Sequence, residues 1–251
     1  RTSVKKTLIP KDWMIPKLIR KLYPDPELIE QAVHLIRQSK RPLVITGRGG
    51  KNARYELTRF LDTVDAVYLD TQESRGLIDR NNKAFVGAMR AAAMNGADLV
   101  ITVGRKLDYQ LGFGSPAVFP EAKFLRLADS TGELIDNRRG DVEVLADVKT
   151  SLNALSDVLN INAGERDSNW LDDLRDKHLK RIQKTGARVN DNVGPDGKIH
   201  PMAIFDAIAQ VATDDYIAVA DGGDLLSFAR IGLEADTYMD AGAFGCLGVG
   251  V

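Results

Sequence analysis

Among 251 residues there is one cysteine, Cys246. A single thiol excludes an internal disulfide framework and a cysteine-built zinc site, and it fits a reducing cytoplasmic setting. An excess of either charge is missing as well: 34 basic residues against 35 acidic ones leave a net charge of −1. Binding of nucleic acid or another polyanion through bulk charge is thereby disfavoured. No apolar run approaches the roughly 20 residues that cross a bilayer, and no charged-then-apolar leader follows Arg1. The sequence also lacks internal repeats, heptads and low-complexity tracts.

What the chain does have is 44% hydrophobic residues, enough for one sizeable core or for one domain and part of another. Residues 1–24 are basic and interrupted by Pro10, Pro16 and Pro24, so long helices are excluded there. We read them as a linker from an upstream part, pinned by Trp13, Met14 and Ile15. The beginning at Arg1 and the stop at Val251, inside a glycine-spaced apolar run, lead us to expect a piece of a longer protein.

Pro26 suits a first helical turn, and Leu28, Ile29, Ala32, Val33, Leu35 and Ile36 recur at helical spacing behind it. A short buried strand at 42–46 then runs into Gly47-Arg48-Gly49-Gly50-Lys51-Asn52, with Asn52 placed to cap the next helix. Strand, glycine turn and helix open a doubly wound sheet, where helix amides can face a phosphate. The dinucleotide fingerprint lacks its third glycine and no P-loop spacing follows, so a tight structural turn and a cofactor contact both stand. Further strands are expected at 66–70, 98–103, 124–128 and 142–145, with helices at 86–95 and 131–138. The continuous apolar strands imply a parallel sheet covered on both faces. The end of the 98–103 strand releases Arg105, Lys106, Leu107 and Asp108 where such a sheet binds ligands. Solvation of a loop is the alternative role for these charges.

Asp147 begins another helix, and 170–182 reads as a connector helix carrying Trp170, Leu171, Leu174 and Leu179. Little apolar content at 183–199 places a boundary there. His34 and His200 read as ordinary residues, the second as a helix entry before Pro201. Beyond them come a helix, a strand at 217–220, the turn Asp221-Gly222-Gly223-Asp224 and the run Asp240-Ala241-Gly242-Ala243-Phe244-Gly245-Cys246-Leu247-Gly248.

These pieces, taken in order, carry a resemblance. They are RPLVITGRGG at 41–50, ADLVITVGRKLD at 97–108, FGSPAVF at 113–119, DSTGELIDNR at 129–138, IHP at 199–201, VADGGD at 219–224 and DAGAFGCLGVG at 240–250. The chain resembles thiamine-diphosphate enzymes of the acetolactate synthase, oxalyl-CoA decarboxylase and 2-hydroxyacyl-CoA lyase group. The resemblance implies a linker at 1–24 and a doubly wound, parallel, six-stranded Rossmann-like central domain at 25–160. A connector at 161–199 and the beginning of a second α/β domain, which binds the diphosphate, at 200–251 would follow.

The resemblance further implies thiamine diphosphate held by Gly222, Gly223, Asp224 and Leu225 and by Gly245, Cys246 and Leu247. Leu247 would be the wedge that bends the cofactor, the Gly245 carbonyl would accept from its aminopyrimidine, and Cys246 would be a packing residue. Synthases often carry Gln-His where this chain has Asp224-Leu225. Gly47, Gly49, Gly104, Lys106 and Asp108 match the positions that bind FAD in synthases and ADP or CoA in the CoA-using members.

The activating glutamate and the Gly-Asp-Gly…Asn clamp for Mg²⁺ would lie outside the chain. No catalytic or metal-binding residue is therefore expected within it, and the fragment alone is expected to be inactive. The parent would be an acetolactate-synthase-like transferase or lyase acting next to the carbonyl of a 2-oxo acid or 2-hydroxyacyl substrate. Alternatives are a 2-hydroxyacyl-CoA lyase or oxalyl-CoA decarboxylase and, from another class, a non-catalytic FAD- or ADP-binding module. An NAD-linked enzyme would need a ribose ligand, for which Asp70 is the nearest residue. A homodimer or homotetramer is expected for the full-length protein.

Overall fold

The computed structural model describes residues 21–71, 74–167, 169–189, 193–194, 196–213, 215–233, 235–240 and 246–248. Helix α1 (Pro26–Gln38) starts where proline predicts, capped by the Asp25 carboxylate on the Glu27 amide at 2.9 Å. Strand β1 (Pro42–Thr46) and helix α2 (Arg54–Val64) follow, then β2 (Val67–Leu69) and α3 (Arg90–Gly96). Next come β3 (Leu99–Val103), β4 (Lys123–Ala128), β5 (Val142–Leu145) and α4 (Val148–Leu159), the last capped by Asp147 as expected. The connector is α5 (Trp170–Val189).

The sheet is parallel throughout, in the order β2-β1-β3-β4-β5. Alternate strand residues feed two cores. Val44, Tyr68, Ile101, Leu125 and Val144 pack with α1, α2 and α4 on one face. Leu43, Ile45, Val67, Val100 and Phe124 pack with α3 and α5 on the other. Continuous apolar strands covered on both faces are what the sequence implies.

Three expectations are corrected. The described sheet has five strands, not six, because the place beyond β2 is held by a single bridge. Tyr68 receives the Phe85 segment through Tyr68 N–H to the Ala84 carbonyl (2.7 Å) and Val86 N–H to the Tyr68 carbonyl (3.2 Å). The helix expected at 131–138 is only a 3₁₀ turn at Thr131–Glu133. Arg126, fully buried on β4, takes the carbonyls of Glu133, Leu134 and Arg138 and pairs with both oxygens of Asp136, and a helix over 131–138 would need the Glu133 and Leu134 carbonyls itself. Asn52 does not cap α2: the 3₁₀ turn Arg48–Gly50 runs on, and Ala53 occupies the cap with no side-chain bond.

A second, two-stranded parallel sheet is formed by β6 (Ile217–Ala220) and β7 (Thr237–Asp240). Helices α6 (Pro201–Val211) and α7 (Asp224–Gly232) cover one face of it, through Met202, Phe205, Leu226 and Ala229 against Ala218, Ala220 and Tyr238. His200 enters α6 as its cap. The opposite face leaves Ile217, Val219 and Met239 exposed.

Candidate functional site

The strand order reverses between β1 and β3, so their C-terminal ends frame the crevice where such sheets take ligands. Here the two loops are pressed together. Gly47 N–H donates to the Val103 carbonyl at 3.0 Å, and Gly49 N–H donates to the Gly104 carbonyl at 3.1 Å. A Cβ on Gly104, which has φ +56°, would stand 2.3 Å from the Gly49 Cα. These glycines let two backbones touch, and their amides are already bonded.

Asp108 is likewise engaged, receiving both guanidinium nitrogens of buried Arg105 at 2.8 and 2.9 Å and the Gln110 amide at 3.0 Å. Lys106 and Arg48 stay exposed. The Glu133 carboxylate abuts Gly49 and leaves one oxygen buried without a hydrogen-bond partner among the described residues. Burial, then the Asp129 charge, push its pKa up against the pull of Arg48, Lys106 and Arg105. Glu133 lies in a stretch that resembles the family, but its arrival over Gly49 depends on the turn that Arg126 imposes.

The other candidate centre is at the C-terminal ends of β6 and β7. The turn after β6 meets the later glycine run: Gly222 N–H donates to the Cys246 carbonyl at 3.0 Å, and Gly248 N–H donates to Asp221 Oδ2 at 2.9 Å. Gly223, at φ +83°, stands at the cap of α7, where no side chain caps the helix. A Cβ built on Gly223 or Gly248 meets no atom of the described residues within 4 Å. Asp224 and Leu225 are exposed in the first turn of α7, and Leu247 is 78% exposed. Cys246 is exposed, and Gly245 lies outside the described residues.

Behind this centre the two sheets meet through a charged seam. Arg230 holds buried Asp240 at 2.9 and 2.8 Å, with Arg75 Nε 3.9 Å from the same oxygen. Burial raises the pKa of Asp70 at the end of β2, opposed by Arg75 and the Gly76 amide. Burial likewise lowers that of Arg75. Sequence reasoning assigned nothing to Arg75 or Arg230, because neither belongs to a local motif and the contact that joins Arg75 to Asp240 spans distant segments.

A parallel sheet covered on both faces, with glycine turns at its switch point and a second α/β unit beside it, defines a doubly wound α/β architecture. The profile of the family described as thiamine pyrophosphate enzyme, central domain, matches residues 29–155. The chain belongs to that family. It is 29% identical over 233 residues to 2-hydroxyacyl-CoA lyase of Arabidopsis thaliana, covering 89% of this chain and 40% of that protein. It is 24% identical over 237 residues to oxalyl-CoA decarboxylase of Escherichia coli, covering 92% of this chain and 42% of the relative. A solved structure from Mycobacterium smegmatis, provisionally described as a thiamin diphosphate-dependent enzyme, superposes with a TM-score of 0.66 at 15% identity. It covers 94% of this chain and 45% of that one, which shows a shared fold. The chain thus spans about 40% of the length of these curated relatives. No helix among the described residues is long and apolar enough to cross a membrane.

Proposed function

We propose that the chain supplies the central domain and the opening of the diphosphate-binding domain of a longer, cytoplasmic thiamine-diphosphate enzyme that breaks or forms the carbon–carbon bond next to the carbonyl of an acyl-CoA. The observation that carries the acyl-CoA branch is the pair of relatives, a 2-hydroxyacyl-CoA lyase and an oxalyl-CoA decarboxylase, each matched over about nine tenths of this chain. The β6–α7 centre fits the cofactor. It offers an uncapped helix N-terminus for the diphosphate and open space at Gly223 and Gly248. Exposed Leu247 is held at its edge by the Gly222–Cys246 and Asp221–Gly248 hydrogen bonds.

Thiamine diphosphate, when bound, supplies the carbon nucleophile and electron sink for the bond next to the carbonyl. Gly223 to Leu225 would hold the diphosphate by backbone amides, with Asp224 turned outward, and Leu247 would fix the bend. Mg²⁺ would enter with the diphosphate on ligands expected outside the described residues. In the central domain, exposed Arg48 and Lys106 would face the phosphates of an adenine nucleotide or CoA.

The full-length protein, with thiamine diphosphate and Mg²⁺, is expected to turn over a 2-hydroxyacyl-CoA or oxalyl-CoA. Turnover of pyruvate alone would move it to the synthase branch. Stoichiometric ADP or FAD binding without any cofactor-dependent turnover would leave the non-catalytic nucleotide module.

A further inference from the structure

Helix α7 is held at its far end by a residue of the other sheet unit. Arg80 donates from one terminal nitrogen to the Ile231 carbonyl at 3.0 Å, and from the other to the carbonyls of Arg230 at 3.3 Å and Leu233 at 2.8 Å. The last carbonyls of a helix lack internal partners and carry its negative pole, so a guanidinium suits them in geometry and in charge.

Arg80 is itself fixed from the connector. Arg175 on α5 donates to the carbonyls of Arg80 (3.0 Å), Phe85 (2.7 Å) and Asn81 (3.2 Å), so the loop carrying Arg80 cannot swing freely. The docking beside it leaves no slack. A Cβ on Gly76, at φ +74°, would lie 2.0 Å from the Ala235 carbonyl, and Arg54 spans from the Gly76 carbonyl (3.1 Å) to Asp236 (3.3 Å).

We propose that Arg80 is a positioning residue for the thiamine-diphosphate centre: by gripping the C-terminal carbonyls of α7 from the central domain, it sets where the Gly222–Leu225 end of that helix stands. The inference rests on the function proposed above. Nine residues make a rigid rod of about 13 Å, so a slip at one end is passed to the other. Covalent continuity alone does not fix that rod against the central domain; the Arg75–Asp240 and Arg54–Asp236 contacts and the tight fit at Gly76 hold the unit, and the three Arg80 bonds are those made to the backbone carbonyls at the end of α7 itself.

Two readouts test this, on the full-length protein and its Arg80→Ala and Arg80→Lys variants. Amide hydrogen exchange of α7 reads the clamp without any cofactor. Arg80→Ala is expected to speed exchange in its last two turns about ten-fold, with β3 and β4 unchanged. Thiamine-diphosphate saturation reads the positioning. The half-saturating concentration is expected to rise about ten-fold while kcat at saturation stays within about two-fold.

Arg80→Lys, whose single ammonium cannot span three carbonyls, is expected to lie between wild type and alanine, and it carries the test if the alanine variant does not fold. Unchanged exchange in α7 overturns the clamp. Faster exchange with unaltered cofactor saturation overturns the positioning role, as does a loss confined to kcat. A wild-type protein that ignores thiamine diphosphate sinks the proposed function, and the positioning role with it, while the exchange measurement still decides the clamp.

Discussion

Two glycine turns follow two parallel strands in this protein, and they use glycine for opposite reasons. At Gly47, Gly49 and Gly104 the space is full: added carbons would lie 2.3–2.7 Å from neighbouring atoms, and the Gly47 and Gly49 amides are bonded to β3 and the turn after it. At Gly223 the space is open among the described residues, and only the backbone conformation, φ +83° and ψ −167°, requires glycine. The first turn is part of a core covered on both faces. The second is the edge of a sheet covered on one face, where a ligand has room. A glycine-rich loop therefore says that something comes close, and the structure says whether that is backbone or cofactor.

The largest expected effect is at the polar centre of the closed unit. Arg126→Met should cost about 3–5 kcal/mol in urea unfolding, because it leaves the Asp136 carboxylate without its counter-charge and three carbonyls without their donor. A cost below 1 kcal/mol would mean that the 129–141 loop is held by other contacts. Gly104→Val should cost about 3 kcal/mol, combining left-handed strain with overpacking against Gly49. Gly223→Ala should cost about 2 kcal/mol by the same strain alone, and it should weaken thiamine diphosphate binding while sparing ADP. Equal losses at the two sites, or an ADP defect from Gly223→Ala, would erase the contrast.

A smaller effect is expected at the connector helix α5. His178, buried on α5 against Phe85, accepts the Ala88 amide on Nδ1 at 3.1 Å. Burial, then Arg175 and Arg80, hold its pKa down at about 4 from an ordinary 6.5. The unfolded chain binds the extra proton between those values, so stability is full above about pH 6.5 and falls as pH drops toward 4, by on the order of 1–2 kcal/mol. Melting curves across that range should show this slope, and His178→Gln, which keeps an acceptor, should flatten it. An unchanged slope in the variant would assign the acid sensitivity elsewhere.

The smallest effect is expected on the uncovered face of β6. Val219→Thr should change stability by less than about 0.5 kcal/mol. A cost above about 1.5 kcal/mol would show that this face is covered in solution.

Much of this was legible in the residue order. Strands β1 and β3 are short apolar runs bounded by turn residues, and Pro26, Asp147 and His200-Pro201 mark helix starts by local chemistry. The family resemblance assigned Gly222–Leu225 and Gly245–Leu247 to one cofactor without saying how the two stretches touch; the Gly222–Cys246 and Gly248–Asp221 hydrogen bonds are read from the structure alone. The turn at 131–138 was misread because its helical spacing competes with a buried arginine on β4. The sixth strand reduces to one bridge at Phe85, because the 79–86 loop is held at its carbonyls by Arg175.

The sequence by itself determined the alternation of strand and helix, the parallel sheet and the family, since each rests on periodicity, capping and motif order along the chain. Only the tertiary structure decided which glycines make room for backbone and which for a ligand. It alone brought Glu133 over Gly49 and tied α7 to Arg80. Those outcomes depend on long-range hydrogen bonds and close contacts between segments up to about 150 residues apart, and no local pattern of residues encodes them.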